Sequence, residues 1–204
     1  MSYQLSAVVA DADLLREQTD GLDHAVLAAL RQEFALLPVT PQLVQELTGS
    51  LPDFTVEELG PERPFHLVLS PALDELLAGW SRRGPVAYLE AEFAGGLGNQ
   101  SSVVWLGGEV SRGPHFDGTL DRPRADWPIN AALVRLGAEP GPWIDPFAEL
   151  GLYLERDTAG WLAHGRRGLT ADYWDELAEE WELRQSGRHQ QPDRPGPVGD
   201  WGIP

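Results

Sequence analysis

The chain has 204 residues, of which 42% are hydrophobic, and its eight Trp and six Phe exceed what a disordered chain carries. Thirty-two acidic residues outnumber fifteen basic ones, all of them Arg, so the net charge is −17, and Cys is absent. This composition disfavours nucleic-acid and anionic-membrane binding, and it excludes disulfides, thiolate metal sites and cysteine nucleophiles.

A chain of this length can build one sizeable core with a tail, whereas two full domains would be cramped. We expect a single α+β domain over residues 1–184 and a flexible tail over residues 185–204, which are rich in Gly, Pro and Gln. Neither a membrane-spanning apolar run nor a basic leader followed by an apolar stretch is visible. A cytoplasmic location is therefore the expectation.

The first part of the chain predicts a strand from Tyr3 to Ala10 and a short acidic helix capped by Asp11. Residues 25–39 fit either one helix or a pair of strands, because the apolar run is short and interrupted. The Thr-Pro pair that follows favours a strand from Phe34 to Val39.

Two helices then begin with the same signal, a hydroxyl residue followed by Pro. Thr40 and Ser70 are the predicted N-caps. The first helix closes at Gly49, and the second has a Gly at position 79 and can close at Gly84. The second helix carries leucines and a tryptophan at helical spacing on one face, from Leu73 to Trp80.

Residues 86–113 predict an antiparallel meander, because apolar and polar residues alternate between glycine-rich turns at 95–99 and 107–108. The alternation assigns side chains to two faces of the first strand. One face carries Tyr88, Glu90 and Glu92, and the other carries Leu89, Ala91 and Phe93.

Beyond the meander, residues 114–124 read as a loop, and a helix is predicted from Pro128 to Gly137. A single turn is expected at residues 145–146, a last short strand from Leu150 to Glu155, and a turn capped by Asp157.

The last predicted element is an amphipathic helix over residues 171–183, capped by Thr170. Its apolar side carries Trp174 and Trp181, which need a surface to pack on, either this protein's own sheet or a partner's groove. Its other side is acidic and includes Asp172, Glu176 and Glu179.

Two acidic surfaces are the candidate partner-binding sites. The strand face combines Tyr88 with Glu90 and Glu92, since tyrosine beside carboxylates is frequent at contact surfaces. The second candidate is the helix face with Asp172, Glu176 and Glu179. Two carboxylates are also ordinary on the solvent-facing side of an antiparallel sheet, so a solvated surface without a binding function is the competing interpretation.

A catalytic interpretation uses the same strand. Residues two apart on a strand project the same way, roughly 6.5–7 Å apart, a separation that suits a general acid and base with a water between them. A hydrolase-like site around Glu90, Glu92 and His115 is therefore the alternative, with His115 on a loop near Asp117. The five His stand apart from one another, so we predict no metal ligands and no cofactor.

Three segments resemble a group of small, acidic, uncharacterised actinobacterial proteins, some of them suspected to be immunity proteins beside secreted toxins. The segments are AYLEAEFAGGLGNQSSVVW, WPINAALVRLGAE and DPFAELGLYLERDTAGW, which together cover about residues 86–161. The resemblance implies no catalytic residues.

These observations predict a non-enzymatic acidic binding protein of the immunity or inhibitor type that recognises a basic protein partner. The expected fold is an antiparallel meander sheet with helices packed on one face, followed by the amphipathic helix and the tail. A further alternative is a structural subunit that self-associates through the face of Trp174 and Trp181.

Overall fold

The structure is a computed structural model that describes residues 2–50, 69–94, 97–141 and 143–170, together with residues 172, 173 and 176. The chain divides into two compact units, Met1–Ala171 and Asp172–Pro204. The expected domain boundary at residue 184 and the predicted tail lie outside the described residues.

The first unit is built on one six-stranded sheet in which every neighbouring pair is antiparallel. The strand order is β2-β3-β1-β4-β5-β6, so the meander β4-β5-β6 extends a sheet begun by the first three strands. The strands are β1 (Tyr3–Asp11), β2 (Ala28–Ala29), β3 (Phe34–Pro38), β4 (Val86–Ala94), β5 (Leu97–Leu106) and β6 (Glu109–Asp117).

Six α-helices precede, separate or follow groups of these strands in the described chain, and together they confirm the predicted α+β class. The helices are α1 (Ala12–Gln18), α2 (Pro41–Thr48), α3 (Pro71–Trp80), α4 (Pro128–Leu136), α5 (Pro146–Glu149) and α6 (Thr158–Arg166).

The sheet is covered on both faces, which differs from the expected packing of helices on one face. Leu5 and Val9 of β1 join a core with α4 and α6, whereas Val8 and Ala10 join a second core with α1, α2 and α3. The difference follows from the central strands. Consecutive residues are buried from Ala7 to Ala10 of β1 and from Val86 to Ala91 of β4, and a strand buried on both faces needs a layer on each side.

The helix-start signals at Asp11, Thr40 and Ser70 are confirmed. The Asp11 carboxylate accepts a hydrogen bond from Leu14 N at 3.0 Å, and the Thr40 hydroxyl accepts one from Leu43 N at 3.2 Å. Asp157 caps a full helix, α6, where the sequence predicted only a turn. These contacts join residues close in sequence, so the local pattern was enough to find them.

Strand β6 runs four residues beyond the predicted end of the meander at Gly113. A bulge opposite Val103 takes up Gly113 and Pro114, after which pairing resumes between Ser102 and His115. Pro114 has no N–H to donate, and a bulge is where a sheet tolerates that loss. His115 therefore lies on a strand and not on the predicted loop.

The predicted strand from Leu150 to Glu155 is wrong. Leu152 N donates to Phe147 O at 3.0 Å, and Gly151 has a φ of +85°, so this segment turns back after α5. Leu150 and Leu152 are both buried, and their spacing of two imitated the alternation of a strand.

Candidate functional site

The predicted acidic strand face is divided between the core and the surface. Tyr88 is fully buried and Glu90 is 8% exposed, whereas Glu92 is exposed. The prediction that this face is displayed to solvent is therefore wrong for Tyr88 and Glu90. The reason is that their side of β4 faces the core formed with α1, α2 and α3.

The buried pair is held together by a direct hydrogen bond. The Tyr88 hydroxyl donates to Glu90 Oε1 at 2.6 Å, and the Ser6 side chain also bonds to Tyr88. Burial raises the pKa of Tyr88 well above its ordinary value, and the neighbouring Glu90 charge raises it further. The phenol thus stays protonated and serves as a fixed donor to Glu90, a role internal to the fold.

Glu92 lies near the C-terminal end of β4, beside a depression of about 360 Å³. Asn99 sits directly opposite Glu92 on β5, and Phe116 of β6 pairs with Ser101, so all three side chains project from one face. Phe116 is 43% exposed. We call this depression the acidic pocket, and its lining residues are Glu92, Ala94, Gly98, Asn99, Phe116 and Gly118.

The strands hold the acidic pocket in a defined shape. Gly98 pairs with Phe93, and the Phe93 ring occupies the space that a side chain at position 98 would need. At Gly118, an added Cβ would lie 3.2 Å from the Phe116 ring. Both glycines let aromatic rings lie close against the backbone at this end of the sheet.

His115 lies on the other face of the sheet from the two glutamates. It pairs with Ser102, whose hydroxyl donates to Pro128 O of α4 at 2.8 Å, while Glu90 and Glu92 face the opposite side. Burial lowers the pKa of His115, and Arg112 and Arg122 lower it further. The fold therefore does not bring together the three residues of the hydrolase-like alternative.

The acidic helix face is described only at its beginning. Asp172 and Glu176 are helical and exposed, as predicted. Glu179, Trp174 and Trp181 lie outside the described residues, so the binding and self-association hypotheses that use them stay predictions.

A second surface, which the sequence did not predict, carries exposed aromatic and apolar side chains. Trp143 is 45% exposed, Ile144 76% and Tyr153 39%, and the rings of Trp143 and Tyr153 are 5.6 Å apart. The Arg31 guanidinium lies 5.4 Å from the Trp143 ring centre and 5.9 Å from that of Tyr153. We call Trp143, Ile144, Phe147 and Tyr153 the aromatic patch.

Buried polar side chains fix the aromatic patch to the fold. Glu149, only 5% exposed, accepts a hydrogen bond from Trp143 N, and Asn130 of α4 accepts one from Phe147 N at 2.9 Å. A Trp-Ile pair next to Gly and Pro in a polar loop was the available signal for this patch.

The aromatic patch and the acidic pocket lie at the same end of the central strands. A groove of about 230 Å³ links the patch residues Phe147 and Tyr153 to Tyr3 and Phe93. Tyr3 pairs with Phe93, which is the strand neighbour of Glu92. The two surfaces therefore occupy opposite faces of one sheet end.

A buried histidine on α6 has a packing role. His164 of α6 is fully buried, with Nδ1 3.5 Å from a Glu155 carboxylate oxygen and its ring centre 5.2 Å from that of Trp161. Within the described residues, no three His, Cys, Asp or Glu side chains cluster in a way that suits a metal ion. No described helix has the length and apolar character needed to cross a bilayer.

Comparison with known proteins gives no match: no protein-family model, no curated protein and no solved structure matches the chain.

Proposed function

We propose that this chain is a non-enzymatic binding protein of the immunity or inhibitor type, and that it recognises a basic protein partner with the end of the sheet that carries the acidic pocket. The observation that carries the proposal is an exposed carboxylate, Glu92, held on a paired strand beside an open depression in a chain of charge −17. Such a charge attracts a basic partner and speeds its association.

The aromatic patch supports the same class of function. Trp, Tyr and Arg are the residues that most often dominate the binding energy of protein interfaces, and here Trp143 and Tyr153 lie beside Arg31. Buried polar contacts hold the patch in place before any partner arrives, which reduces the entropy lost on binding.

The test is affinity capture from a lysate of the source organism, using the wild-type chain, Glu92→Gln and Glu109→Gln. Glu109 is exposed at the start of β6 and far from the acidic pocket along the strand, so its variant controls for the loss of one charge. We expect the wild type and Glu109→Gln to retain a basic protein, and Glu92→Gln to bind it about tenfold more weakly.

Measured association rates should also fall steeply as salt is added, because screening removes the attraction between opposite charges. Recovery of no basic protein, or an association rate indifferent to salt, would contradict the proposal. Glu90→Gln is unsuitable for this test, since Glu90 is buried and its substitution acts on stability.

Self-association is the second candidate, and the exposed Ile144 and Trp143 of the aromatic patch favour it. Two copies of charge −17 repel each other, so an apolar contact between them should strengthen with salt, opposite to the binding of a basic partner. Light scattering at low and high salt, with Trp143→Ala as the comparison, distinguishes the two.

A further inference from the structure

We infer that the acidic pocket is a receptor for the guanidinium group of one arginine side chain, which a protein partner would present. The inference deepens the proposed function and rests on it for the identity of the partner. Binding of a guanidinium group by the pocket does not depend on the partner's identity, and it can be tested with a small molecule as the probe.

The lining of the acidic pocket offers acceptors and a ring face. Glu92 contributes a carboxylate, which only accepts hydrogen bonds when ionised, and Asn99 contributes an amide oxygen directly across the strands. Phe116 contributes the face or edge of a half-exposed ring. A planar cation with several N–H donors can satisfy two acceptors and lie against an aromatic ring at once.

No residue in the described part of the chain occupies the Glu92 carboxylate. Across the described ranges, Glu92 makes no hydrogen bond and no ion pair, in contrast to Glu90 two residues earlier, which accepts the Tyr88 hydroxyl. An arginine entering the acidic pocket would therefore gain a carboxylate partner without displacing any basic residue that the structure describes.

The size of the acidic pocket matches a side chain better than a large cofactor. Its volume of about 360 Å³ is near the lower end of the range for ligand sites, about 300–1,000 Å³. The flat guanidinium and its apolar stem both find complementary surface there, the first at Glu92 and Asn99 and the second along Phe116. An ammonium group lacks the planar fork, so arginine is preferred over lysine.

The test is an NMR titration of the isotope-labelled full chain with N-acetyl-arginine amide. Matched titrations use N-acetyl-lysine amide and N-acetyl-citrulline amide, the second being an uncharged analogue of arginine. We expect saturable shifts at the amides of Gly98, Asn99 and Gly118, with citrulline binding at least about tenfold more weakly and lysine severalfold more weakly.

Two variants assign the interaction to named side chains, and a third controls for charge. Glu92→Gln should weaken binding of the arginine probe about tenfold, and Phe116→Leu should weaken it severalfold, while Glu109→Gln should leave it unchanged. The same spectra show whether each variant keeps its fold.

The inference is overturned if the pocket amides do not shift, if Glu92→Gln binds the probe as well as the wild type, or if lysine binds as tightly as arginine. Loss of the probe site with a basic protein still captured would reject the pocket and leave the proposed function standing. Probe binding at the pocket without any captured basic protein would support the arginine site and contradict the proposed function.

Discussion

Glu90 and Glu92 show how residues of one type on one strand face acquire different roles. They lie two residues apart on β4, yet Glu90 is nearly buried against the Tyr88 hydroxyl and Glu92 is exposed beside the acidic pocket. Alternation along the strand predicted correctly that they share a face. The burial of Glu90 depends on helices from distant parts of the chain, so the pattern of the strand alone did not predict it.

Replacing Tyr88 by Phe should lower the free energy of unfolding by about 1.5–3 kcal/mol, because the buried Glu90 carboxylate loses a hydrogen-bond donor. Urea denaturation measures the change. Tyr153→Phe is the control, since Tyr153 is exposed and its hydroxyl accepts a long hydrogen bond of 3.4 Å from Arg31, and we expect a loss below about 0.5 kcal/mol. Equal effects of the two variants would show that the buried bond does not stabilise the fold.

Stability should also fall in alkaline solution because of two tyrosines, the buried Tyr88 and the partly buried Tyr3. Burial raises the pKa of both Tyr3 and Tyr88 above the value of 10.0 for an unfolded chain, so the folded state keeps the protons longer than the unfolded state. The contribution is complete below about pH 10 and is lost as the pH rises from there toward the folded pKa values.

Urea midpoints measured between about pH 8 and about pH 11 should therefore decline above pH 10, and the decline should be shallower in Tyr88→Phe. A urea midpoint that does not change with pH over that range would contradict the raised pKa values of Tyr3 and Tyr88.

At the scale of secondary structure, the sequence predicted the features that depend on neighbouring residues. It missed features that depend on residues far away in the chain. Caps such as Asp11 and Thr40 were found because the groups they satisfy are three residues away. The extension of β6 past Gly113 and the turn at Leu150–Leu154 were missed, since they depend on pairing with β5 and on packing in the core.

Alanine substitutions at two glycines within helices should have opposite effects on stability. At Gly165 of α6, an added Cβ would lie 2.7 Å from both Leu27 O and a Val26 methyl, whereas at Gly79 of α3 it would meet nothing within 4 Å. Gly165→Ala should destabilise the fold by about 1–3 kcal/mol, because the helix must move away from the neighbouring backbone.

Gly79→Ala should be neutral or stabilising by up to about 1 kcal/mol, since alanine favours helix and has room there. Thermal unfolding of both variants checks the pair. Stabilisation by Gly165→Ala would mean that α6 does not pack closely on residues 26–27.

At the scale of the whole molecule, the dominant property is the charge of −17. Thirty-two acidic residues cannot all find partners among fifteen arginines, and the unpaired charges repel one another in the folded state. Surface pairs such as Arg83 with Glu17, 2.6 Å apart and half-exposed, offset little of this repulsion.

Raising NaCl from about 0.02 M to about 0.5 M should therefore increase the free energy of unfolding by roughly 1 kcal/mol, as screening weakens the net repulsion. Urea denaturation at each salt concentration measures it. The variant Asp20→Asn, Glu75→Gln and Glu109→Gln removes three exposed negative charges and should respond less. A stability that falls with salt would show that attractive ion pairs dominate instead.

The sequence by itself determined the α+β class, the helix caps and the faces of the β4 side chains, because these depend on contacts within a few residues and on the period of a strand. Only the tertiary structure decided which carboxylate is buried, that helices cover both sheet faces, and that Asn99 and Phe116 join Glu92. Those outcomes depend on strand register and on helix packing between residues far apart in the chain, which no local pattern encodes.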